Sequence, residues 1–312
     1  MSHDSMRILV PVDGSENSLN ALRFIAQRQT LLASRPEIVV MTVQEPLPAR
    51  ACRLVGTDAL ERYYKDEADK IFEAVDKVRG DLPIVTKYAV GEPVASLAEE
   101  VNNGQYDLIV LNSRGQGAIR GLFFGSVSTG LLAATACPVL MLRGNLPEGN
   151  PTKRLPGDGL RVALAVDGSV YSRAAVRYIA RHRSIFGAHS EYLLTTVVSD
   201  YAGAVMPDMA GMALPTLSEA DIADLQKEEF DEVVRELRPI LAHNALTTTD
   251  YCLVGNPGDE IARFSQNMGV DLIVMGSHGY GRFKAAVLGS VATRVAASCD
   301  TPLLLIRSSR HR

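Results

Sequence analysis

The chain has 312 residues, about twice a common domain length, and its 46% hydrophobic and 22% charged residues are typical of folded globular domains. The 32 basic and 36 acidic residues give a net charge of −4, which excludes a broad basic surface for nucleic acid or anionic membranes. Apolar runs are short and interrupted, so neither a membrane-spanning segment nor a signal peptide is predicted, and we expect a cytoplasmic protein.

Short apolar segments alternate with amphipathic ones along the first half of the chain. The first apolar run is followed by residues at helical spacing, such as Leu19 and Leu22. Asp58 and Glu61 have the spacing of a capping box at a helix start, and Pro93 occupies the first turn of a further helix. The strands predicted in this half are 8–12, 38–43, 84–90, 108–111 and 139–142.

The second half of the chain gives the same order of strands and helices. Near-continuous apolar strands that alternate with amphipathic helices indicate parallel sheets covered on both faces. The predicted fold class is therefore α/β, with two tandem, doubly wound, five-stranded parallel sheets of Rossmann-like type. The segments predicted in this half are 161–166, 170–183, 191–198, 218–242, 247–254, 258–268, 272–275, 290–298 and 303–306.

The motifs of the first half recur in the second. RILVPVDGS from residue 7 returns as RVALAVDGS from residue 161, whereas DLIV at 107–110 returns unchanged at 271–274. These offsets are 154 and 164 residues, so the second copy has about ten extra residues, which we assign to the stretch 199–217. The predicted domains are 1–146 and 160–312, joined by a Pro- and Gly-rich linker over 147–159.

Two loops of each copy should meet at the carboxyl ends of the strands, where doubly wound sheets bind ligands. In the second copy, one loop holds Asp167, an acceptor suited to ribose hydroxyls or the adenine amine. The other begins with Gly276 and Gly279, which allow close backbone approach or a positive φ. Gly289 and Ser290 then open a helix whose unpaired N–H groups favour a phosphate.

This loop resembles the nucleotide-binding motif of the universal stress protein family, G-x2-G-x9-G-[ST], at every position, and the resemblance covers both copies. It implies the adenine nucleotide alpha hydrolase-like fold and ATP as the bound cofactor, with Mg²⁺ held through the phosphates as an option. It assigns no catalytic residues and no metal-ligating residues. The nucleotide-binding residues implied in the second copy are Asp167, Val197, Gly276, His278, Gly279, Gly289, Ser290 and Val291.

The first copy departs from the motif at one position, where Asn112 replaces the first glycine. Asparagine tolerates left-handed backbone, but its side chain could crowd a nucleotide, so we expect tighter binding in the second copy. Arg114 takes the place of His278, and two roles stay open for it: a contact with phosphate, or a solvated side chain on the surface. The residues that match the motif in this copy are Asp13, Val43, Gly115, Gly125, Ser126 and Val127.

Three functions of different classes stay open. The resemblance favours an ATP-binding protein of stress response or signalling that has no efficient turnover and is not an enzyme. A slow ATP hydrolase is the second, although the chain lacks both the S-G-G-x-D-S loop of related ATP-splitting enzymes and a GK[ST] loop. A nucleotide-independent scaffold or chaperone-like protein is the third, and the intact loop of the second copy argues against it for that half only.

Association is expected through the last strand of each copy, 139–142 and 303–306, because both are apolar sheet edges. In the family such edges pair antiparallel, which implies an intramolecular pseudo-dimer and leaves a homodimer open. The four cysteines lack CxxC spacing and are expected to be buried, reduced thiols. The insertion carries three methionines, which favour a hydrophobic lid or irregular packing over partner binding: Met206, Met209 and Met212.

Overall fold

The computed structural model describes residues 6–26, 36–52, 56–113, 125–143, 159–187, 189–201, 217–278 and 288–307. They form two compact units, one of residues up to 160 with 182–190 and 302 onward, the other of residues 161–181 and 191–301. Both repeats have the α/β fold predicted from the sequence, with parallel strands and intervening helices. Among the described helices, none combines the length and apolar character needed to cross a bilayer.

The first repeat is a doubly wound parallel sheet. Its strands are β1 (Arg7–Pro11), β2 (Glu37–Gln44), β3 (Ile84–Val90), β4 (Leu108–Ser113) and β5 (Val139–Arg143). Its helices are α1 (Glu16–Ala26), α2 (Ala49–Cys52), α3 (Thr57–Val78), α4 (Pro93–Gly104) and α5 (Ser126–Ala134). The strand order is β3-β2-β1-β4-β5. Because the order reverses between β1 and β4, the crevice for a ligand lies at the carboxyl ends of these strands.

The second repeat follows the same plan. Its strands are β6 (Arg161–Ala165), β7 (Glu191–Val198), β8 (Thr249–Val254), β9 (Leu272–Gly276) and β10 (Leu303–Ile306). Its helices are α6 (Val170–His182), α7 (Glu219–Arg235), α8 (Arg238–His243), α9 (Pro257–Asn267) and α10 (Ser290–Ser298), with a 3-10 turn at Arg183–Phe186. Within the second unit the parallel order is β8-β7-β6-β9, with the reversal between β6 and β9.

The central strands are buried on both faces. Leu9 and Val10 are adjacent in β1 and point to opposite faces, and both are 0% exposed. Ile273 and Val274 of β9 are equally inaccessible. Two covered faces explain why the strand segments read as continuous apolar runs rather than as alternating ones.

The aspartate of the repeated DLIV segment has the same role in both repeats. The Oδ2 of Asp107 accepts a hydrogen bond from the Arg7 backbone N–H at 2.9 Å, and Asp271 accepts one from the Arg161 N–H at the same distance. These contacts fix the start of β1 against β4 and the start of β6 against β9, at the sheet end opposite the ligand crevice. A shared structural contact therefore accounts for the unchanged recurrence of this aspartate.

The ladder between the two central strands differs between the repeats. β1 pairs with β4 at two positions, Ile8 and Leu9, whereas β6 pairs with β9 at four positions and reaches Ala165. Pro11 stands where the second repeat has Ala165, and proline has no N–H to donate. The first repeat therefore loses strand pairing at the carboxyl ends of these strands.

β10 belongs to the first unit rather than to the unit of its own repeat. It pairs antiparallel with β5, with Leu304 opposite Leu140 at the centre of the ladder. The antiparallel pairing expected of the two fifth strands is therefore present. Just beyond β10, the Nη1 group of Arg307 donates to the backbone carbonyls of Leu132, Ala133 and Thr135 at the end of α5.

Two helix boundaries differ from the sequence prediction. α3 has Gly56 as its N-cap and no side-chain cap, so Asp58 lies in the first turn and the predicted capping box is wrong. The single helix predicted over 218–242 is two helices, because Pro239 at the start of α8 cannot donate a backbone hydrogen bond to a continuing helix. A capping box does exist at the start of α7, between Ser218 and Asp221.

The cysteines are all free, but they are not all buried. Cys137 and Cys299 are buried as expected, Cys52 is half-buried, and Cys252 is exposed on β8, which corrects the prediction for that residue. The methionines of the insertion, and the linker up to residue 158, lie outside the described residues.

Candidate functional site

A cavity of about 530 Å³ lies at the carboxyl ends of β6, β7 and β9 in the second unit. Apolar side chains from these strands and from α9 form most of its wall, and a few polar groups converge on it, which is the usual composition of a small-molecule site. The lining residues are Ala165, Val166, Asp167, Ser172, Val197, Pro257, Ile261, Met275, Gly276, Ser277, His278, Leu288, Gly289, Ser290, Val291 and Ala292.

Asp167 is held by the turn that joins β6 to α6. Its Oδ1 accepts hydrogen bonds from the Ser169 N–H at 3.0 Å and from the Ser172 hydroxyl at 2.5 Å. Gly168 between them has φ 77°, a conformation that favours glycine, so the DGS sequence is required by the turn itself. The carboxylate is thereby oriented at the cavity and keeps acceptor capacity for a ligand.

The amino end of α10 closes another side of the cavity. Gly289 is the N-cap and has no side chain to cap the helix, and Ser290 is the first helical residue, with its side chain exposed. The hydroxyl of Ser290 therefore does not cap the helix. Gly289 donates its N–H to the Ser277 carbonyl at 2.8 Å, which fixes the helix start against the end of β9. The following N–H groups of a helix start have no intrahelical acceptor and favour an anion.

Gly276 is required by close packing rather than by a positive φ. A Cβ placed on it would lie 2.5 Å from the Cβ of Tyr171 and 3.0 Å from the His278 carbonyl oxygen. Tyr171 also contacts His278 directly, with ring centroids 5.6 Å apart. The first glycine of the motif thus allows α6 to approach the end of β9.

The corresponding turn of the first repeat is more open. Asp13 and Ser15 are both exposed, whereas Ser169, the counterpart of Ser15, is only 3% exposed. The Oδ1 of Asp13 accepts from the Ser15 N–H at 2.9 Å and from its hydroxyl at 2.5 Å. Desolvation raises the pKa of Asp13, but hydrogen bonds from Ser15 and Ser18 outweigh it, so the net pKa is lowered.

The first-repeat helix start resembles that of the second. Gly125 is the N-cap of α5 with φ −64° and ψ 160°, and Ser126 begins the helix. Among the described residues, no atom lies within 4 Å of a Cβ built on Gly125. Asn112, at the position of Gly276, has a buried Oδ1 near the end of β4.

The structure brings together most of the residues that the motif singles out. Seven of the eight second-repeat positions line the cavity, and the eighth, Gly279, lies outside the described residues, as does Gly115 of the first repeat. In the first repeat, Val43 lies next to the end of β2 and Val127 in the first turn of α5. The second-repeat residues in the cavity are Asp167, Val197, Gly276, His278, Gly289, Ser290 and Val291.

Two features of the site were not predicted from the sequence. Ser172 hydrogen-bonds Asp167, and its counterpart Ser18 at the offset of 154 carried a usable signal, since both serines recur with the DGS turn. Tyr171 carried no such signal, because its counterpart is Asn17 and the contact with Gly276 spans about a hundred residues.

Comparisons with known proteins match this architecture. The model of the universal stress protein family matches residues 5–143 and 160–307. A universal stress protein of Mycolicibacterium smegmatis is 29% identical over 311 residues, which are 96% of both chains. The crystal structure of a universal stress protein from Archaeoglobus fulgidus covers 98% of this chain and all of that chain, with 19% identity and a TM-score of 0.66. A universal stress protein in complex with cAMP matches 44% of this chain and 96% of its own, with 24% identity and a TM-score of 0.33. Because the family model matches both repeats, the chain belongs to the universal stress protein family.

Proposed function

We propose that the second repeat binds an adenine nucleotide, ATP in the first instance, and that the protein acts in stress response or signalling through this bound state. The start of α10 carries the proposal. Gly289 has φ −66° and ψ 156°, which is extended backbone that any residue adopts. Since conformation does not require glycine there, we infer that the side chain is absent to leave room for ligand atoms at the helix start.

The cavity offers different chemistry at its two ends. Asp167 and the backbone around Val197 lie at the ends of β6 and β7, where hydrogen bonds to a ribose and an adenine are expected. Ser290 and the first N–H groups of α10 suit a phosphate chain. Mg²⁺ would then be held through the phosphates, and a positively charged side chain is not needed to bind the anion.

We propose binding without efficient turnover. The two titratable side chains that line the described cavity, Asp167 and His278, are hydrogen-bonded to Ser172 and Ser277 respectively. Phosphate release from ATP and Mg²⁺, measured with the full chain over several hours, should stay far below one equivalent per minute. Rapid, repeated release would favour the slow-hydrolase alternative instead.

A matched pair of variants tests the site. Gly289→Val should abolish ATP binding to the second repeat, because the branched side chain occupies the space in front of the helix start while the backbone can keep its conformation. Gly125→Val makes the same change in the first repeat and should leave the tighter ATP-binding event intact. Calorimetry of ATP binding to the full chain measures both variants.

The outcomes separate the candidate functions. Unchanged ATP binding in Gly289→Val would contradict the proposed site. A wild-type chain that binds neither ATP nor adenosine would favour the scaffold alternative. Loss of the tighter binding event in Gly125→Val would assign that event to the first repeat.

The location of the protein and its association state belong to the same proposal. We propose a cytoplasmic protein that forms a pseudo-dimer within one chain and has no nucleic-acid partner, as its net charge of −4 supports. Cell fractionation and light scattering of the purified chain test the location and the number of chains that associate.

A further inference from the structure

Tyr171 packs against the site without lining it. It is the second residue of α6, and its Cβ lies only 2.5 Å from the position that a Cβ on Gly276 would occupy. Its ring contacts the His278 ring at a centroid distance of 5.6 Å and an interplanar angle of 39°. His278 lines the cavity, whereas Tyr171 reaches the cavity only through His278 and Gly276.

His278 has a further contact, with Ser277. Its Nδ1 lies 3.1 Å from the hydroxyl oxygen of Ser277, a residue that is 0% exposed. The Ser277 carbonyl in turn accepts the N–H of Gly289, the N-cap of α10. Ser277 thus contacts both the His278 imidazole and the helix start that receives the phosphates in the proposed function.

The first repeat lacks this arrangement. Asn17 stands in place of Tyr171, and Asn112 stands in place of Gly276. Arg114 stands in place of His278, so neither member of the ring pair has an aromatic counterpart in the first repeat. The ring pair is therefore a property of the second repeat alone.

We propose that Tyr171 is a positioning residue of the second-repeat site, which holds the His278 imidazole where it donates a hydrogen bond to the phosphate chain of the bound nucleotide. The inference rests on the proposed function. When Nδ1 accepts from the Ser277 hydroxyl, the ring proton is on Nε2 and that nitrogen is the donor. Loss of one hydrogen bond to a charged group corresponds to about a tenfold change in affinity.

ATP and adenosine binding to the full chain, measured by calorimetry, separates positioning from general structure. Tyr171→Leu fills the space beside Gly276 but removes the ring, and we expect about tenfold weaker ATP binding with adenosine binding unchanged. His278→Gln should weaken ATP binding by a similar factor, and the double variant should be no weaker than His278→Gln alone. Tyr171→Phe keeps the ring and should restore the ATP affinity, and Asn17→Leu is the matched control in the first repeat.

A second readout does not need a nucleotide. The NMR signal of the His278 ring, assigned by its loss in His278→Gln, should shift in Tyr171→Leu and stay near its wild-type position in Tyr171→Phe. Equal ATP affinity in wild type and Tyr171→Leu would overturn the inference but not the proposed function. The same holds if the losses of ATP affinity add up in the double variant, or if Tyr171→Leu weakens adenosine binding as much as ATP binding. A wild-type chain that binds neither probe overturns the proposed function together with the inference.

Discussion

Arg307, just after the last strand, donates a hydrogen bond from Nη1 to the backbone carbonyl of Thr135 at 3.1 Å. The same nitrogen donates to the carbonyls of Leu132 and Ala133, so one guanidinium satisfies carbonyls at the end of α5. Cations at a helix carboxyl end also interact favourably with the helix dipole. The residue that supports α5 therefore lies just beyond the last strand of the second repeat, about 170 residues away in the sequence.

Arg307→Ala should destabilise the first unit by about 1 to 2 kcal/mol, because the carbonyls lose a charged donor. Urea denaturation measures the loss in free energy of unfolding, and hydrogen exchange of the α5 amides shows whether α5 is the part that is destabilised. Arg307→Lys keeps the charge with fewer donors and should give an intermediate value. Equal stability of wild type and Arg307→Ala would show that water replaces the guanidinium without cost.

The contact between α9 and α10 should show strong coupling between its two residues. A Cβ on Gly258 would lie 2.5 Å from the Arg294 Cβ, whereas in the first repeat the glycine is Gly130 and the larger residue is Val94. The small residue has thus changed helix between the repeats. Gly258→Val should cost about 2 to 3 kcal/mol, since the helices must separate.

Adding Arg294→Gly to Gly258→Val restores the first-repeat arrangement. The double variant should lose at least about 1 kcal/mol less free energy of unfolding than the sum of the two single losses, even though a glycine within a helix is itself destabilising. Arg294→Ala keeps the Cβ and loses only the exposed ion pair with Asp259, so it should cost less than about 1 kcal/mol. Urea denaturation of wild type, Gly258→Val, Arg294→Gly and the double variant gives the cycle, and strictly additive costs would contradict the packing argument.

The four cysteines should differ in reactivity. Burial, with a contribution from Asp107, raises the pKa of the Cys137 thiol to about 12, and Cys299 is also buried. Cys252 is exposed, although partial desolvation and Glu229 raise its pKa as well. Iodoacetamide should therefore modify Cys252 first, faster as pH rises, and Cys137 only after unfolding. Mass spectrometry of the peptides measures this order, with Cys252→Ser as the control, and early labelling of Cys137 would contradict the burial.

The hydrogen bonds of Asp13 should make the stability of the fold depend on pH in the acid range. Because its pKa is lowered in the folded state, ionised Asp13 stabilises the fold above the ordinary pKa of an aspartate, and this contribution is lost as pH falls through the folded-state pKa. Ser15→Ala removes one of the hydroxyl donors and should raise that pKa, whereas Ser15→Thr should preserve it. NMR titration of the Asp13 carboxyl carbon compares the three proteins. An equal pKa in wild type and Ser15→Ala would assign the shift to the backbone donors and Ser18.

The internal repeat made much of the fold predictable from the sequence. Each strand segment occurs twice, so the prediction for one copy could be checked against the other. The DGS turn follows from a residue type with a narrow conformational role, since Gly168 has a positive φ. The break at Pro239 was visible in the sequence, but Leu237 and Leu241 continue the helical spacing across it and favoured one helix. The contact of Tyr171 with Gly276 depends on the distance between α6 and β9, which no local pattern encodes.

The place of β10 has a consequence for synthesis on the ribosome. The first unit includes β10, so its sheet gains the strand next to β5 only after most of the second repeat has been translated. Until then the apolar edge of β5 is unpaired, and the sheet of the first repeat lacks its neighbouring strand. A nonsense mutation just before β10 would therefore damage the repeat that was translated first.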